Sequence, residues 1–494
     1  MSLYKNLFKQ TAIYGLATVL PRIISFLLNP LFVFYLPKSE MGEVSIIFAY
    51  LVFFNVILSY GMETAFFRFY NAEDTSNSEL ANQNKKTVIS TSTISLFWSS
   101  IGFLFLALLF RNTISNIATI NVEYITYTIW ILTLDALAII PFSKLRAEKK
   151  PMKYAVIKIG NVMVNFILTY FFLAVLPKLV TNTPDSFLNL IYVQDFQIGY
   201  IFIATLTASL LTFMVLTPNY FKITWQFDFQ LWKKMMRYGL PILIAGIAFA
   251  INEHFDKILL DWMHIPKSDI GAYAACYKIG MFMVLFRTAY TLGIEPFFFS
   301  HASNENAQQT YATITKYFVI FGSFICLFVI VFADLFKYFL VPNPDYWDAM
   351  KVVPLIVLAN FFLGIYTNLS VWYKLIDKTK IGAYISIVGA LITLGLNYLL
   401  IPTMSYYGSA IATIAAYGSM MIISYKMGQK KYPIPYDISK IFSYLGLTIL
   451  FSAISFYIPY IRENYFVKVI LLSLFLYFIY YNEKETLLRI LKRK

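Results

Sequence analysis

Asn252, Glu253, Asp256 and Lys257 fall together in AINEHFDKILLDWM (Ala250–Met263), a polar interruption in a long apolar run. Two carboxylates, an amide and an ammonium so close in sequence could hold a coupling cation or a proton, or could neutralise one another. At 100° per residue all four fit an arc of about 140° on a helix, an arc shared with Ala245 and Gly246. Ile247, Ile251, Phe255 and Ile258 take the other side, and Phe249 and Leu260 interrupt the polar face. A charge at mid-membrane costs roughly 2.5–3.5 kcal/mol on the insertion scale, so such a face is expected to line a protein interior or a wet cavity. The plainer alternative is a Glu253–Lys257 ion pair at i,i+4, with Asp256 reaching Lys278 on the next span. His254 lies off this face.

Two arginines are candidates for anion binding. Arg22 in LPRIISF and Arg287 in LFRTAY stand near the middle of apolar runs, too deep to snorkel easily. Each either faces a cavity or pairs with a buried acid, Asp135 and Glu63 being nearest by depth. Lys278 and Arg287 are nine residues apart, about 180° on a straight helix, so they share a cavity only if the helix bends, with Gly280 the candidate hinge. Glu63 and Glu295 sit near the cytoplasmic ends of their runs and read as gate or packing residues. Lys158, about one turn inside an edge, is expected to snorkel. Tyr273, Tyr277 and Tyr290 are candidates to stack on sugar rings.

The elements that must position these residues are membrane helices. Of 494 residues, 59% are hydrophobic and 13% charged, against about 25% charged in soluble domains. Fourteen apolar stretches of about 20 residues can be marked, the second over 43–67 and the eleventh and twelfth over 381–402 and 405–425, and no segment alternates as a membrane strand would. The N-terminal stretch runs on too long for a cleaved signal and is expected to stay as the first span. The net charge of +14 resides mostly in loops. With cytoplasmic termini, those on the cytoplasmic side carry roughly threefold more Lys and Arg than the others. This distribution argues against nucleic acid. Cys276 and Cys326 form no CxxC, and His254, His264 and His301 have no ligand spacing, so no metal and no cofactor is expected.

Motifs recur at an offset of about 230 residues. PKSEMG (Pro37–Gly42) returns as PKSDIG (Pro266–Gly271), YGL at Tyr14 returns at Tyr238, GMETAFF (Gly61–Phe67) returns as GIEPFFF (Gly293–Phe299), and Lys144–Leu145 returns as Lys374–Leu375. The expected fold is therefore an all-α polytopic membrane protein with 14 transmembrane helices. It has two six-helix lobes related by a parallel repeat, residues 1–220 and 221–432, plus two further helices and a basic tail in 433–494.

The stretch DKILLDWMHIPKSDIGAYAACYKIG (Asp256–Gly280) and the opening TAIYGLATVLPRIISFLLNPLFVFYLPKSEMGEVSIIFAYLVFF resemble the bacterial polysaccharide flippases of the multidrug/oligosaccharidyl-lipid/polysaccharide exporter superfamily. The resemblance implies a rocking transporter in the bacterial inner membrane. Its cargo would be an undecaprenyl-diphosphate-linked oligosaccharide, such as an O-antigen unit, moved to the outer leaflet. By position it implies Arg22, Lys278 and Arg287 as substrate-binding residues; the residues themselves add Lys257 as a further substrate-binding candidate and Asn252, Glu253, Asp256, Asp135, Glu63 and Glu295 as ion-coupling or gating candidates. Na⁺ or H⁺ is the possible coupling ion. The expected partners are the lipid-linked substrate, membrane lipids and other polysaccharide-assembly proteins, around a monomer. The alternatives are an ion-coupled drug or small-molecule exporter of the same superfamily and a membrane polymerase or glycosyltransferase. No Walker, GxSxG or HExxH motif supports the enzyme.

Overall fold

The computed structural model describes residues 2–71, 78–183, 185–301, 305–376 and 378–492. Among them every regular element is helical. Thirteen helical stretches are long and apolar enough to cross a membrane, and the chain is a multi-pass membrane protein. One of the thirteen, Lys380–Lys431, runs for 52 residues and is broken at Ser405 (φ 53°, ψ −140°). Pro402, just upstream, lacks an N–H and crowds the preceding turn, which weakens the helix there. The expected boundary between the eleventh and twelfth spans falls at this break.

Contacts divide the chain into two compact units, Met1–Trp262 with Pro266–Ser268, and Met263–Ile265 with Asp269–Lys494. The first contains α1 (Ser2–Tyr35), α2 (Lys38–Ser59), α3 (Met62–Tyr70), α4 (Ser78–Leu109), α5 (Arg111–Ala118), α6 (Val122–Ala147), α7 (Pro151–Tyr170), α8 (Leu176–Asn182), α9 (Gln197–Leu216) and α10 (Phe229–Trp262). By contact α10 belongs here, although the repeat makes it the start of the second half. It packs on α2, α3 and α4, with the Phe255 ring 5.1 Å from that of Phe53. Packing and sequence correspondence thus divide the chain at different points.

The apolar run expected as a continuous span over 43–67 is broken between α2 and α3. Tyr60 (φ 32°) and Gly61 (φ 73°) are both left-handed, the region where glycine carries no steric cost. A Cβ at Gly61 would strike the Gly239 carbonyl of α10, so the two backbones touch there.

The second unit contains α11 (Lys267–Tyr277, from Asp269 on), a 3₁₀ turn at Lys278–Gly280, α12 (Met281–Ser300), α13 (Ala307–Val331), α14 (Ala333–Leu340), α15 (Val353–Leu369), α16 (Val371–Leu375), α17 (Lys380–Lys431), α18 (Ile438–Tyr457), α19 (Pro459–Glu463) and α20 (Tyr465–Lys492). The repeated motifs hold matching places. The lysine after the proline of PKS opens α2 in one copy and α11 in the other. GMETAFF and GIEPFFF differ, because Gly293 stays inside α12 with nothing within 4 Å of an added Cβ.

Candidate functional site

The polar residues of α10 enter the first unit unequally. Asn252 and Asp256 are buried, while Glu253 and Lys257 are half-buried. The Lys257 ammonium lies 2.9 Å from Asp256 Oδ1 and donates to both carboxylate oxygens, and the Lys257 N–H donates to Oδ1 at 2.9 Å. The carboxylate is therefore held by its own neighbour in sequence, a partner that helical spacing does not single out.

Arg22 is an exposed residue of α1, one position after Pro21. Arg287 is a half-buried residue of α12 in the second unit. Its stem runs over Gly364 of α15, where an added Cβ would stand 3.7 Å from Arg287 Cγ and 2.7 Å from the Phe318 ring. Gly364 thus leaves room for the guanidinium stem, a role that nothing in the sequence marked. One turn further along α12, the Tyr290 hydroxyl donates to Asn368 Oδ1 at 2.7 Å. Lys278 begins the 3₁₀ turn that separates α11 from α12, and an added Cβ on Gly280 would stand 2.6 Å from Ile356 Cγ2. Three residues at the 3₁₀ advance reduce the angle between Lys278 and Arg287 from about 180° to about 120°. The side chain of Glu295 lies outside the described residues.

Asp135 of α6 accepts a hydrogen bond from Ser209 Oγ of α9 at 2.8 Å. Lys158 of α7 places its ammonium 4.4 Å from the centre of the Phe142 ring of α6, a contact set by how the two helices rotate against each other. Along the same α7–α9 seam, Asn161 donates to Thr212 Oγ1 at 3.0 Å and Asn165 to Thr205 Oγ1 at 3.1 Å. Glu63 of α3 accepts from Arg146 of α6 at 2.9 Å, an exposed pair inside the first unit.

Of the tyrosines expected to meet sugars, Tyr273 is fully buried and packs on Tyr406 and Tyr277, so its ring cannot receive a ligand. A different aromatic pocket, of about 450 Å³, opens in the first unit between Tyr60, Ser95, Trp98, Phe227 and Trp232. The Tyr60 hydroxyl and Trp232 Nε1 meet Ser95 Oγ at 2.8 and 2.9 Å. The hydroxyl-rich run STSTIS within an apolar stretch was the signal for it.

A family model described as "Polysaccharide biosynthesis protein" matches residues 7–288, and a second, MatE, matches residues 241–399. No significant match to a curated protein is found. Among solved structures, the chain is similar to the lipid II flippase MurJ in an inward closed conformation. There the identity is 16%, the TM-score is 0.74, and 96% of this chain and all of that one are covered. It is also similar to an inward-facing multidrug resistance MATE family transporter of the MOP superfamily, at 13% identity and TM-score 0.68, over 85% and 95% of the two chains. A further likeness is to a MOP superfamily transporter from Pyrococcus furiosus, at 15% identity and TM-score 0.57, over 86% and 95%. These relatives are transporters, as the sequence reading expected, and not enzymes. With the fold of the MOP superfamily and a family model spanning more than half its length, the chain belongs to the polysaccharide biosynthesis protein family.

Proposed function

We propose that this protein is a flippase that moves an undecaprenyl-diphosphate-linked oligosaccharide, such as an O-antigen unit, from the inner to the outer leaflet of a bacterial cytoplasmic membrane. The observation that carries the reading is the polysaccharide biosynthesis match over residues 7–288, which includes Arg22, Lys257, Lys278 and Arg287. The likeness to a lipid II flippase across 96% of the chain supports it.

In this reading the termini are cytoplasmic, and the cavity first opens inward. The Arg22 and Arg287 guanidinium groups donate paired charge-assisted hydrogen bonds to the diphosphate oxygens, which their planar forks suit better than a lysine would. Lys278 and Lys257 add positive charge. The lipid tail stays in the bilayer while the lobes rock, and the site then faces outward. A headgroup with two negative charges gains roughly 2.3 kcal/mol per charge per 100 mV on leaving a negative interior. A coupling ion, Na⁺ or H⁺, would add to this drive. Glu253, Asp256 and Asn252 form one candidate site for it, and Asp135 with its Ser209 contact forms another. Glu63 and Glu295 remain candidates for the inner gate. The protein acts as a monomer beside other polysaccharide-assembly proteins.

The test is export of surface glycan in a strain lacking the chromosomal copy. Arg22→Ala and Arg287→Ala should each abolish export at unchanged protein level, with partial rescue by Lys at either position. The MatE match favours a second reading, export of a cationic drug. Efflux of a cationic dye that persists in both variants would support it against the flippase.

A further inference from the structure

Three cations converge on one carboxylate in the second unit. Asp334, in the first turn of α14, accepts from Arg462 Nε at 2.9 Å and from Nη2 at 2.8 Å. Lys337 Nζ lies 3.1 Å from Oδ1, and Lys468 Nζ lies 3.5 Å from Oδ2. One negative charge cannot balance three positive ones. The Lys468 side chain is only 2% exposed and that of Lys337 14%, so water screens the excess poorly. Held this close and partly dehydrated, the cations favour a further anion.

A cavity of about 550 Å³ opens beside the cluster, lined by Asp334, Lys337, Lys351, Arg462 and three tyrosines, Tyr338, Tyr457 and Tyr465. Lys351 adds a fourth cation and makes no ion pair among the described residues, while Glu463 is the second acid on the wall. Aromatic faces back the cations. Lys337 Nζ is 4.1 Å from the centre of the Trp347 ring, and the Arg462 guanidinium is 4.3 Å from that of Phe456. Close by in sequence, Phe339 (69%), Tyr460 (76%) and Phe466 (74%) are exposed. A cationic pocket beside exposed rings suits an amphiphile better than a free ion.

Position points the same way. Fifteen residues beyond Lys468 on α20, Glu483 is held by Lys316 at 2.8 Å and by Lys440 at 3.0 Å. The two clusters are therefore about 22 Å apart along the helix, toward opposite faces of the membrane. The pocket sits at the end of α20 away from the C-terminal tail, where headgroups would lie.

We propose that this pocket binds the phosphodiester headgroup of an anionic phospholipid, with its acyl chains against the exposed side chains Phe466, Val469 and Ile470 of α20. None of the cargo residues lines this pocket, and the proposal does not depend on what the protein transports.

The test uses the full chain in nanodiscs of phosphatidylcholine doped with phosphatidylglycerol, reading retained lipid by native mass spectrometry together with the melting temperature. Phosphatidylglycerol should be retained and should stabilise the protein, and phosphatidylcholine should not. Lys351→Ala should weaken retention roughly fivefold, the effect of one surface cation on anionic lipid, and Lys351→Glu more strongly. Lys351 is exposed, so both variants should melt like the parent in pure phosphatidylcholine. Lys178→Ala, an exposed lysine of the other unit, should retain lipid normally. Millimolar inorganic phosphate should not displace the lipid. Undiminished retention in Lys351→Glu, equal retention of phosphatidylcholine, or displacement by phosphate would each overturn the assignment, the last by making this a free-anion site.

Discussion

Arg146 donates to Glu63 Oε1 at 2.9 Å and joins the ends of α6 and α3 within the first unit. The two side chains are 43% and 48% exposed, so water competes for the pair and its worth is at most about 1 kcal/mol. Glu63→Gln should therefore leave the melting temperature nearly unchanged. If Glu63 gates the cavity as proposed, Glu63→Gln should lower export at that unchanged stability. Export at the parent level would leave the pair a packing role only.

Arg146 contributes more than charge. Its guanidinium lies over Phe67 at 4.8 Å and near Tyr154 at 5.9 Å. Arg146→Ala should thus destabilise more than Glu63→Gln, because it removes stacking as well as the ion pair. Thermal unfolding of the two variants side by side measures the difference.

Asp334 makes stability depend on acid. Burial pushes its carboxyl up, but Arg462 and Lys337 outweigh burial and hold it at about 2. A carboxylate depressed below its unfolded value stabilises the fold above that value and loses the contribution as pH falls through the folded one. The contribution should be complete above about pH 4 and lost by about pH 2, and it amounts to about 2 kcal/mol. Asp334→Asn should lower the melting temperature at pH 7, leaving three cations without their acid, and the gap to the parent should close on approach to pH 2. A gap that is constant with pH would mean that the carboxylate is not ionised in the fold.

Matched glycines of the repeat should respond oppositely. Gly61→Ala forces a left-handed alanine, at about 1–2 kcal/mol, and drives its Cβ into the Gly239 carbonyl. Gly293→Ala meets open space inside α12 and should be neutral or stabilising by up to about 1 kcal/mol. Yield and melting temperature of the two variants test this. Equal effects would contradict the different conformations of the two motifs.

The helical, membrane-spanning character was legible because span length and apolarity are local properties, and the break near Ser405 falls where two apolar stretches of the sequence meet. The kink at Tyr60–Gly61 was not legible, because it answers the approach of Gly239, distant in sequence. The same limit applied to side chains. Which residues of α10 carry charge could be read directly. That Lys257 would turn to Asp256, or Lys158 to Phe142, depends on how helices rotate against one another. The Arg462–Asp334 fork, 128 residues apart, left no trace in any local pattern. Gly364 read as an ordinary membrane-helix glycine until Arg287 and Phe318 were found on either side of it.

The clearance at Gly364 yields a further prediction. Gly364→Val would crowd Phe318 and the Arg287 stem together, and export should fall even though the guanidinium is intact. Gly446→Val, where an added Cβ meets nothing within 4 Å, serves as the control. If Gly364→Val exports normally, the placement of Arg287 over that glycine has no functional weight.

The most direct measurement is translocation of a diphosphate-linked oligosaccharide lipid by the purified protein in liposomes, with a membrane potential imposed. The parent protein should flip the lipid, faster with a negative interior on the loading side, and Arg22→Ala and Arg287→Ala should each reduce the rate to that of empty liposomes while remaining folded. Parent-level flipping by both alanine variants would contradict the claim that these guanidinium groups carry the diphosphate.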